Sequence, residues 1–287
     1  MKLLALVVGA GGQLGEAMVT QLAVRHEVVG LTRAELDATS LDAVREAVQG
    51  VCPDVIINCS AYTNVDAAER EPAQALAVNA MAVRALAQAA AENDAIFVHY
   101  STDFVFDGRT DRPYAEDDPP NPRGTYALTK LLGEWLAADV PRHYILRVES
   151  LFGGANGRSS IDRILDQILG GTEVRAFADR TVSPSYVDDV VSATSQLLAL
   201  KSAPGLYHCV NTGWTTWAEL ARELARLVGR PDAPIAAVPV ASVNLAVDRP
   251  KFAALSNEKL AAAGITMPPW QDAIARYVAE RARKVEP

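Results

Sequence analysis

A glycine-rich turn follows directly on an apolar run at the start of the chain and limits the folds open to it. The run from Leu3 to Val8 contains no polar residue, as in strands that are buried on both faces of a parallel sheet. The apolar spacing from Glu16 to Ala23 predicts a helix, and His26 to Leu31 predicts a second strand. Strand, turn, helix and strand in this order are typical of a βαβ unit.

This setting indicates that the turn binds the pyrophosphate of a dinucleotide. Glycine lets the backbone approach a phosphate closely, and the free N–H groups at the start of a helix bind anions. The alternative is a glycine turn that holds no ligand. The predicted phosphate-binding residues are Gly9, Gly11, Gly12, Gln13, Leu14 and Gly15.

Strands and helices continue to alternate along the first half of the chain. Such alternation predicts an α/β fold with a doubly wound parallel sheet, the Rossmann arrangement. Residues 1–150 are expected to form the dinucleotide-binding domain, and residues 151–287 a smaller, mainly substrate-binding part from which about 183–211 returns to the main sheet. The predicted elements are helices at 41–48, 72–93, 125–138, 217–228 and from about 271, and strands at 54–59, 96–101, 144–148 and 206–210.

Composition and charge exclude several classes of protein. Lys and Arg number 27 against 35 Asp and Glu, a net charge of −8, which argues against a nucleic-acid-binding protein. No stretch of about 18 apolar residues and no cleavage site appear, so a cytoplasmic protein without a membrane segment is expected. The three cysteines lack CxxC spacing and the four histidines lack metal-ligand spacing, so no metal site is predicted.

The end of the second predicted strand bears on the choice of cofactor. An acidic residue there would bind the ribose 2′-OH of NAD, but this chain has Arg33. A guanidinium can pair with a 2′-phosphate, so we predict NADPH, with NADH left open. A solvated surface charge is the alternative for Arg33. Asp37, a few residues later, is predicted to meet the adenine.

A phenol and an ammonium stand one helical turn apart at Tyr126 and Lys130. Proton exchange with a carbonyl near neutral pH requires a perturbed tyrosine, since its free pKa is about 10, and a nearby cation favours the phenolate. Thr102, at the carboxyl end of a predicted strand, is placed to donate a hydrogen bond to the same carbonyl oxygen. Its alternative role is to cap a turn.

These residues stand in a pattern that resembles the extended short-chain dehydrogenase/reductase superfamily, and within it the dTDP-4-dehydrorhamnose reductase family. The most specific segment runs from Ser101 to Gly108. Sugar dehydratases carry Asp-Glu after the threonine, whereas Asp103 and Phe104 follow here, which disfavours dehydration. Further matching segments are 9–15, 33–37, 53–58, 61–69, 205–208, 215–217 and 249–250.

The resemblance implies an activity and roles for individual residues. NADPH would reduce the C4 keto group of dTDP-4-dehydro-L-rhamnose to give dTDP-L-rhamnose. Tyr126 would protonate the alkoxide, Thr102 would hydrogen-bond the same oxygen, and Lys130 would hold the nicotinamide ribose and lower the tyrosine pKa. The residues implied to line the cofactor near the nicotinamide are Ser60, Ala61 and Tyr62, and those implied to approach the sugar are Thr63, Val65, Thr102, Phe104 and Arg249.

Two segments depart from the family pattern. After Arg147 the family has Thr-Ser-Trp, with the tryptophan on the substrate, whereas this chain has Val148-Glu149-Ser150. The Gly-Ala-Pro-Thr segment is replaced within 182–186. Both border the expected sugar pocket, so a reductase or epimerase of another nucleotide sugar stays open. So does a non-catalytic regulatory subunit of methionine adenosyltransferase, and so does a homodimer formed through the predicted helices at 72–93 and 125–138.

Overall fold

The architecture is read from a computed structural model that describes residues 2–155 and 159–285. Residues 156–158, inside the predicted substrate-binding part, and residues 286–287 at its end lie outside the described residues. The strands in chain order are β1 Leu4–Val8, β2 Glu27–Leu31, β3 Val55–Asn58, β4 Ile96–Thr102, β5 His143–Val148, β6 Leu151–Phe152, β7 Val174–Phe177, β8 Thr181–Val182, β9 Ser185–Tyr186, β10 Gly205–His208, β11 Thr215–Thr216 and β12 Ile235–Val238.

Helices connect most of these strands. The helices in chain order are α1 Gln13–Leu22, α2 Leu41–Val51, α3 Val65–Ala68, α4 Pro72–Leu76, α5 Ala82–Glu92, α6 Thr125–Ala138, α7 Ser160–Leu169, α8 Val187–Leu200, α9 Trp217–Leu227, α10 Glu258–Ala262 and α11 Trp270–Val285. Within the described ranges, no helix is both long enough and apolar enough to cross a membrane.

Six strands form a parallel sheet in the order β10-β5-β4-β3-β1-β2. The chain moves outward from β1 to β2, then returns to the other side of β1 to add β3, β4 and β5. The predicted doubly wound parallel sheet is therefore confirmed. A crevice for ligands is expected where this direction reverses, outside the carboxyl ends of β1 and β3.

Apolar side chains from the two faces of the sheet bury against different helices. One face packs against α1 and α8, through residues such as Met18 and Val190. The other packs against α2 and α5, through residues such as Val44 and Leu86. Burial on both faces explains why the sheet strands contain near-continuous apolar runs.

A second apolar core lies in the C-terminal part of the chain. It joins α7, α9 and α11 around Phe152, Trp217 and Trp270. By contrast, α8 packs on α1, and β10 pairs with β5 at the edge of the main sheet. Residues 260–267 also contribute to the core of the main sheet, a return that the sequence did not predict.

The helix predicted over 72–93 is interrupted. A π-helical turn at Ala77–Met81 separates α4 from α5. The extra residue of a π-turn changes which side chains face inward. Asn79 is thereby buried, and its amide bonds both the N–H and the carbonyl of Tyr62, at 2.8 and 3.1 Å.

Three helices of the C-terminal half, α7, α8 and α10, were not predicted, and the first two carry a clear local signal. The start of α7 carries a capping box in which Ser159 and Asp162 satisfy each other's backbone N–H groups. Helix α8 begins with two aspartates, Asp188 and Asp189, which favour a helix N-terminus. Both local signals are present in the sequence.

Candidate active site

Close backbone packing requires glycine in the turn between β1 and α1 and again in the first turn of α1. Gly9 has a φ of +83°, and a Cβ there would lie 2.7 Å from the backbone nitrogen of Ser60. A Cβ at Gly15 would lie 2.2 Å from the carbonyl oxygen of Gly9. Helix α1 starts after Gly12 without any side-chain cap. The close packing of the turn and the uncapped N-terminus of α1 are what a phosphate-binding turn requires.

A cleft of about 830 Å³ opens at this turn. Eight of the predicted cofactor-binding residues line it together: Gly9, Gly11, Gly12, Arg33, Asp37, Ser60, Ala61 and Tyr62. Three others have different surroundings. The Gln13 amide donates to the carbonyl of Gly153 at 2.8 Å, the Leu14 side chain is buried in the core, and Gly15 packs against Gly9. The Leu14 side chain is therefore not available to a ligand in this arrangement.

Arg33 is exposed at the rim of the cleft beside Asp37. The Asp37 carboxylate accepts hydrogen bonds from the hydroxyl and the N–H of Thr39, at 2.6 and 3.0 Å. These bonds, with a smaller contribution from the charge of Arg33, lower the pKa of Asp37. The rim therefore presents the guanidinium of Arg33 beside the Asp37 carboxylate, which Thr39 holds in place.

Thr102 and Tyr126 meet at the carboxyl end of β4. The phenol of Tyr126 comes from the first turn of α6, and its ring packs edge-on against Phe104 at 5.6 Å between centroids. The Thr102 hydroxyl donates to Asp103 Oδ1 at 2.9 Å and accepts from the N–H of Phe104 at 3.2 Å. Thr102 thus caps the short turn after β4, and it lies in hydrogen-bonding reach of Tyr126 as well.

The phenol of Tyr126 is strongly held in its protonated form. Burial raises its pKa to about 12, although hydrogen bonding to Thr102 opposes this. A group with this pKa stays a proton donor throughout the neutral range, which suits protonation of an alkoxide. The expected lowering of this pKa by Lys130 stays a prediction.

The Lys130 ammonium is buried beneath the site and directed to the sheet. Nζ donates to the carbonyl oxygen of Tyr100 at 2.6 Å and lies 3.4 Å from His99 Nε2. Burial lowers the pKa of Lys130 to about 8, and the charge of Glu134 opposes this shift. Lys130 therefore titrates closer to neutrality than an ordinary lysine.

A buried ion pair fixes helix α6 to the sheet. Glu134, one turn after Lys130, accepts two hydrogen bonds from Arg147, from Nε and Nη2, each at 2.8 Å. The two side chains are 5% and 3% exposed. The Ser101 hydroxyl donates to the same carboxylate. Because α6 carries both Tyr126 and Lys130, this pair positions the proposed catalytic side chains.

Two arginines contact the ring of Phe104. The guanidinium carbons of Arg180 and Arg249 each lie 5.7 Å from the centroid of its ring. Arg249 also donates to Asp66 at 2.8 Å. Arg180 lines a cleft of about 590 Å³, and Arg249 lines another of about 510 Å³. Phe104 and Arg249 are thus brought together, whereas Arg180 had no signal in the sequence.

The two segments that depart from the family pattern contact each other beside this cluster. Glu149 Oε2 accepts from the N–H of Ser183 at 2.6 Å. Burial raises the pKa of Glu149 well above its usual range, and the charge of Asp103 adds to this. Burial likewise raises the pKa of Asp103 to about 6, against the charge of Arg180. Sequence reasoning identified Glu149 only as a departure and missed this charge cluster.

The remaining predicted sugar-binding residues, Thr63 and Val65, lie at the start of α3. Thr63 is exposed, and Val65 is the first residue of the helix, which Asn64 caps by accepting from the N–H of Ala67 at 3.0 Å. In the described ranges, no three His, Cys, Asp or Glu side chains are grouped so that they could hold a metal ion.

Comparison with known proteins places this geometry in a family. The model of the family described as RmlD substrate binding domain matches residues 1–283. The chain belongs to the RmlD family. The family predicted from the sequence is therefore confirmed.

Several known proteins match nearly the whole chain. A dTDP-4-dehydrorhamnose reductase of Mycolicibacterium smegmatis is 36% identical over 278 residues, which cover 95% of this chain and 84% of the relative. A protein of Streptomyces antibioticus is named a probable dTDP-4,6-dihydroxy-2-methyloxan-3-one 4-ketoreductase. It is 33% identical over 276 residues, which cover 94% of this chain and 92% of the relative. The crystal structure of dTDP-4-dehydrorhamnose reductase from Bacillus anthracis in complex with NADP has a TM-score of 0.93 at 30% identity, covering 98% of this chain and 100% of that one.

Proposed function

We propose that this protein is an NADPH-dependent reductase of the C4 keto group of dTDP-4-dehydro-L-rhamnose, with dTDP-L-rhamnose as product. The observation that carries the proposal is the meeting of Thr102 and Tyr126 at the sheet edge that also opens the glycine-lined cleft. Relatives over the whole chain are named reductases of this substrate, and one is a complex with NADP.

The residues of this chain divide the work of reduction. NADPH, when bound, supplies the hydride. Tyr126, protonated because of its raised pKa, gives its proton to the oxygen of the former ketone. Thr102 gives up its bond to Asp103 and donates to the same oxygen, which stabilises the developing negative charge. Lys130 holds the nicotinamide ribose.

The substrate is proposed to enter from the side of Phe104. Thr63, Val65 and Phe104 would contact the sugar. The diphosphate would lie between Arg180 and Arg249, since both cations flank Phe104 and guanidinium groups bind phosphate oxygens bidentately.

A reductase of another nucleotide sugar is the second candidate. Glu149 and Ser183 join the two departing segments by a hydrogen bond, so the pocket wall that carries the tryptophan in the family is rebuilt here as one unit. The Streptomyces antibioticus relative is named as a ketoreductase of a different dTDP-sugar.

The deciding experiment is the loss of NADPH absorbance when purified protein receives dTDP-4-dehydro-L-rhamnose made from dTDP-glucose. Rapid oxidation with formation of dTDP-L-rhamnose supports the proposal. No oxidation despite NADPH binding, with turnover of another dTDP-4-keto sugar, moves the assignment to the second candidate. A stable complex with a methionine adenosyltransferase and no turnover on any keto sugar would identify a regulatory subunit. Inversion of the sugar without net NADPH consumption would identify an epimerase.

Replacement of Arg33 by alanine tests the cofactor preference. Arg33→Ala is expected to weaken NADPH binding by about tenfold or more, because it removes charge-assisted hydrogen bonds to the 2′-phosphate. NADH lacks that phosphate, so its dissociation constant should change little. Fluorescence titration with both cofactors measures the effect, and equal losses for the two would contradict a 2′-phosphate site.

We also propose a cytoplasmic homodimer. Four large apolar side chains of the π-turn region and α6 are exposed: Leu76, Met81, Leu128 and Trp135. Trp135 is 60% exposed, which is unusual for an indole outside an interface. Trp135→Glu is expected to give a monomer in sedimentation experiments while the wild type is a dimer; a monomeric wild type would contradict the proposal.

A further inference from the structure

A row of polar side chains, buried from Asn58 onward, joins the cofactor cleft to Lys130. Ser60 lines the cleft, and its hydroxyl donates to Asn58 Oδ1 at 2.6 Å. Asn58 Nδ2 lies 3.2 Å from His99 Nδ1, and His99 Nε2 lies 3.4 Å from Lys130 Nζ. His99 is 0% exposed and has no part in the proposed reaction so far.

The orientation of the Asn58 amide follows from its neighbours. The backbone N–H of Ser60 also donates to Asn58 Oδ1, at 3.0 Å. A backbone N–H can only donate, so the atom that faces Ser60 is the amide oxygen, and the amide nitrogen faces His99. Because an amide NH₂ group can only donate as well, His99 Nδ1 must be an acceptor without a hydrogen.

The proton of His99 is consequently on the other ring nitrogen. Burial, together with the charge of Lys130, lowers the pKa of His99 well below its usual value, so the ring is neutral. A neutral imidazole with a bare Nδ1 carries its hydrogen on Nε2, which faces Lys130. An N–H directed at an ammonium is repelled by it, whereas the same N–H donates a hydrogen bond to a neutral amine.

We propose that Ser60 and Asn58 hold His99 as the Nε2–H tautomer, and that this N–H disfavours the ammonium form of Lys130. His99 is then a positioning residue that acts through Lys130 and touches neither substrate nor cofactor. The other titratable groups on α6 near Lys130 are Tyr126 and Glu134, and the charge of Glu134 favours the ammonium. His99 therefore acts in the same direction as burial and against Glu134.

The consequence is a Lys130 that exchanges its proton close to neutral pH. The pKa of Lys130 is lowered to about 8, so the ammonium form is complete below that pH and is lost as the pH rises through it. If the ammonium holds the nicotinamide ribose, capture of NADPH declines over the same range.

Nitrogen NMR tests the tautomer directly, without any assumption about activity. Two-bond ¹⁵N–¹H correlation spectra of the labelled full chain distinguish the two neutral tautomers. The chain supplies internal controls, because Nδ1 of His143 and of His208 each faces a carbonyl oxygen, at 2.6 and 3.0 Å, and must carry the hydrogen. We expect His99 to show the Nε2–H pattern and these two the Nδ1–H pattern; a His99 in the Nδ1–H or doubly protonated form overturns the proposal.

A variant tests the effect on Lys130, and this arm rests on the proposed function. His99→Phe keeps a planar ring and removes the N–H. Without the repelling N–H the ammonium form of Lys130 is more stable, so the pKa of Lys130 rises. The pH at which kcat/KM for NADPH declines should therefore rise by about half a unit or more. Loss of a polar ring alone would deepen the desolvation of Lys130 and move the decline to lower pH, so an unchanged or lower value overturns the proposal. Absence of any turnover on keto sugars in the wild type would count against the proposed function and leave the NMR arm decisive.

Discussion

Tyr126→Phe is expected to reduce the turnover of the keto sugar by about 10²- to 10⁴-fold, the usual contribution of a positioned proton donor. The substitution removes only the phenol oxygen and keeps the ring that packs edge-on against Phe104 at 5.6 Å. The shape of the site is therefore preserved. The affinity for NADPH should stay close to that of the wild type, because the glycine turn and Arg33 are untouched.

The measurement is steady-state NADPH oxidation together with a cofactor titration on the same preparation. Tyr144→Phe is the matched control, since this phenol donates to the carbonyl of Ser202 at 2.7 Å, at the opposite end of β5 from the site. It should leave turnover nearly unchanged. A Tyr126→Phe variant with wild-type turnover would remove Tyr126 from the mechanism.

Glu134→Ala is expected to lower the free energy of unfolding by about 3–5 kcal/mol, the cost of leaving one partner of a buried ion pair uncompensated. Arg147 would stay buried at 3% exposure beside Phe106, with its two strongest acceptors gone. The loss should also reduce turnover, because α6 would no longer be fixed to β4 and β5 through Ser101 and Arg147. Denaturant unfolding of the variant and the wild type gives the difference in free energy.

An exposed pair of the same chemistry provides the comparison. On α9, Arg226 donates two hydrogen bonds to Glu223, at 2.9 and 2.7 Å, with side chains 64% and 23% exposed. Glu223→Ala should change the free energy of unfolding far less, since water replaces the lost partner. Equal effects of the two substitutions would show that burial does not determine the contribution of the Glu134 pair.

The sequence was most informative where local pattern and function coincide. The run from Leu3 to Val8 and the glycines after it predicted the first strand, the turn and the helix, because a strand buried on both faces leaves no polar residue and a close backbone approach requires glycine. The Tyr126 and Lys130 spacing placed both on α6, whose bounds agree with the prediction. Motif resemblance covering the chain was confirmed by the family comparison.

The local sequence pattern predicted helices less well where a helix residue contacts a residue far away in the sequence. In the π-turn at Ala77–Met81, the Asn79 amide bonds the backbone of Tyr62, seventeen residues earlier in the chain. No periodicity within 72–93 contains that contact. The interruption of this helix was therefore decided by tertiary structure.

The sequence by itself determined the doubly wound sheet, the glycine turn and the residue types of the proposed reaction, because each depends on spacing along the chain. Only the tertiary structure decided which neighbours the side chains of those residues face and how their pKa values shift. It turned the Lys130 ammonium towards Tyr100 and His99, and it set Arg180 beside Asp103 and Phe104 from the far half of the chain. Proton affinities depend on burial and on charges brought close in space, and neither quantity is local in sequence.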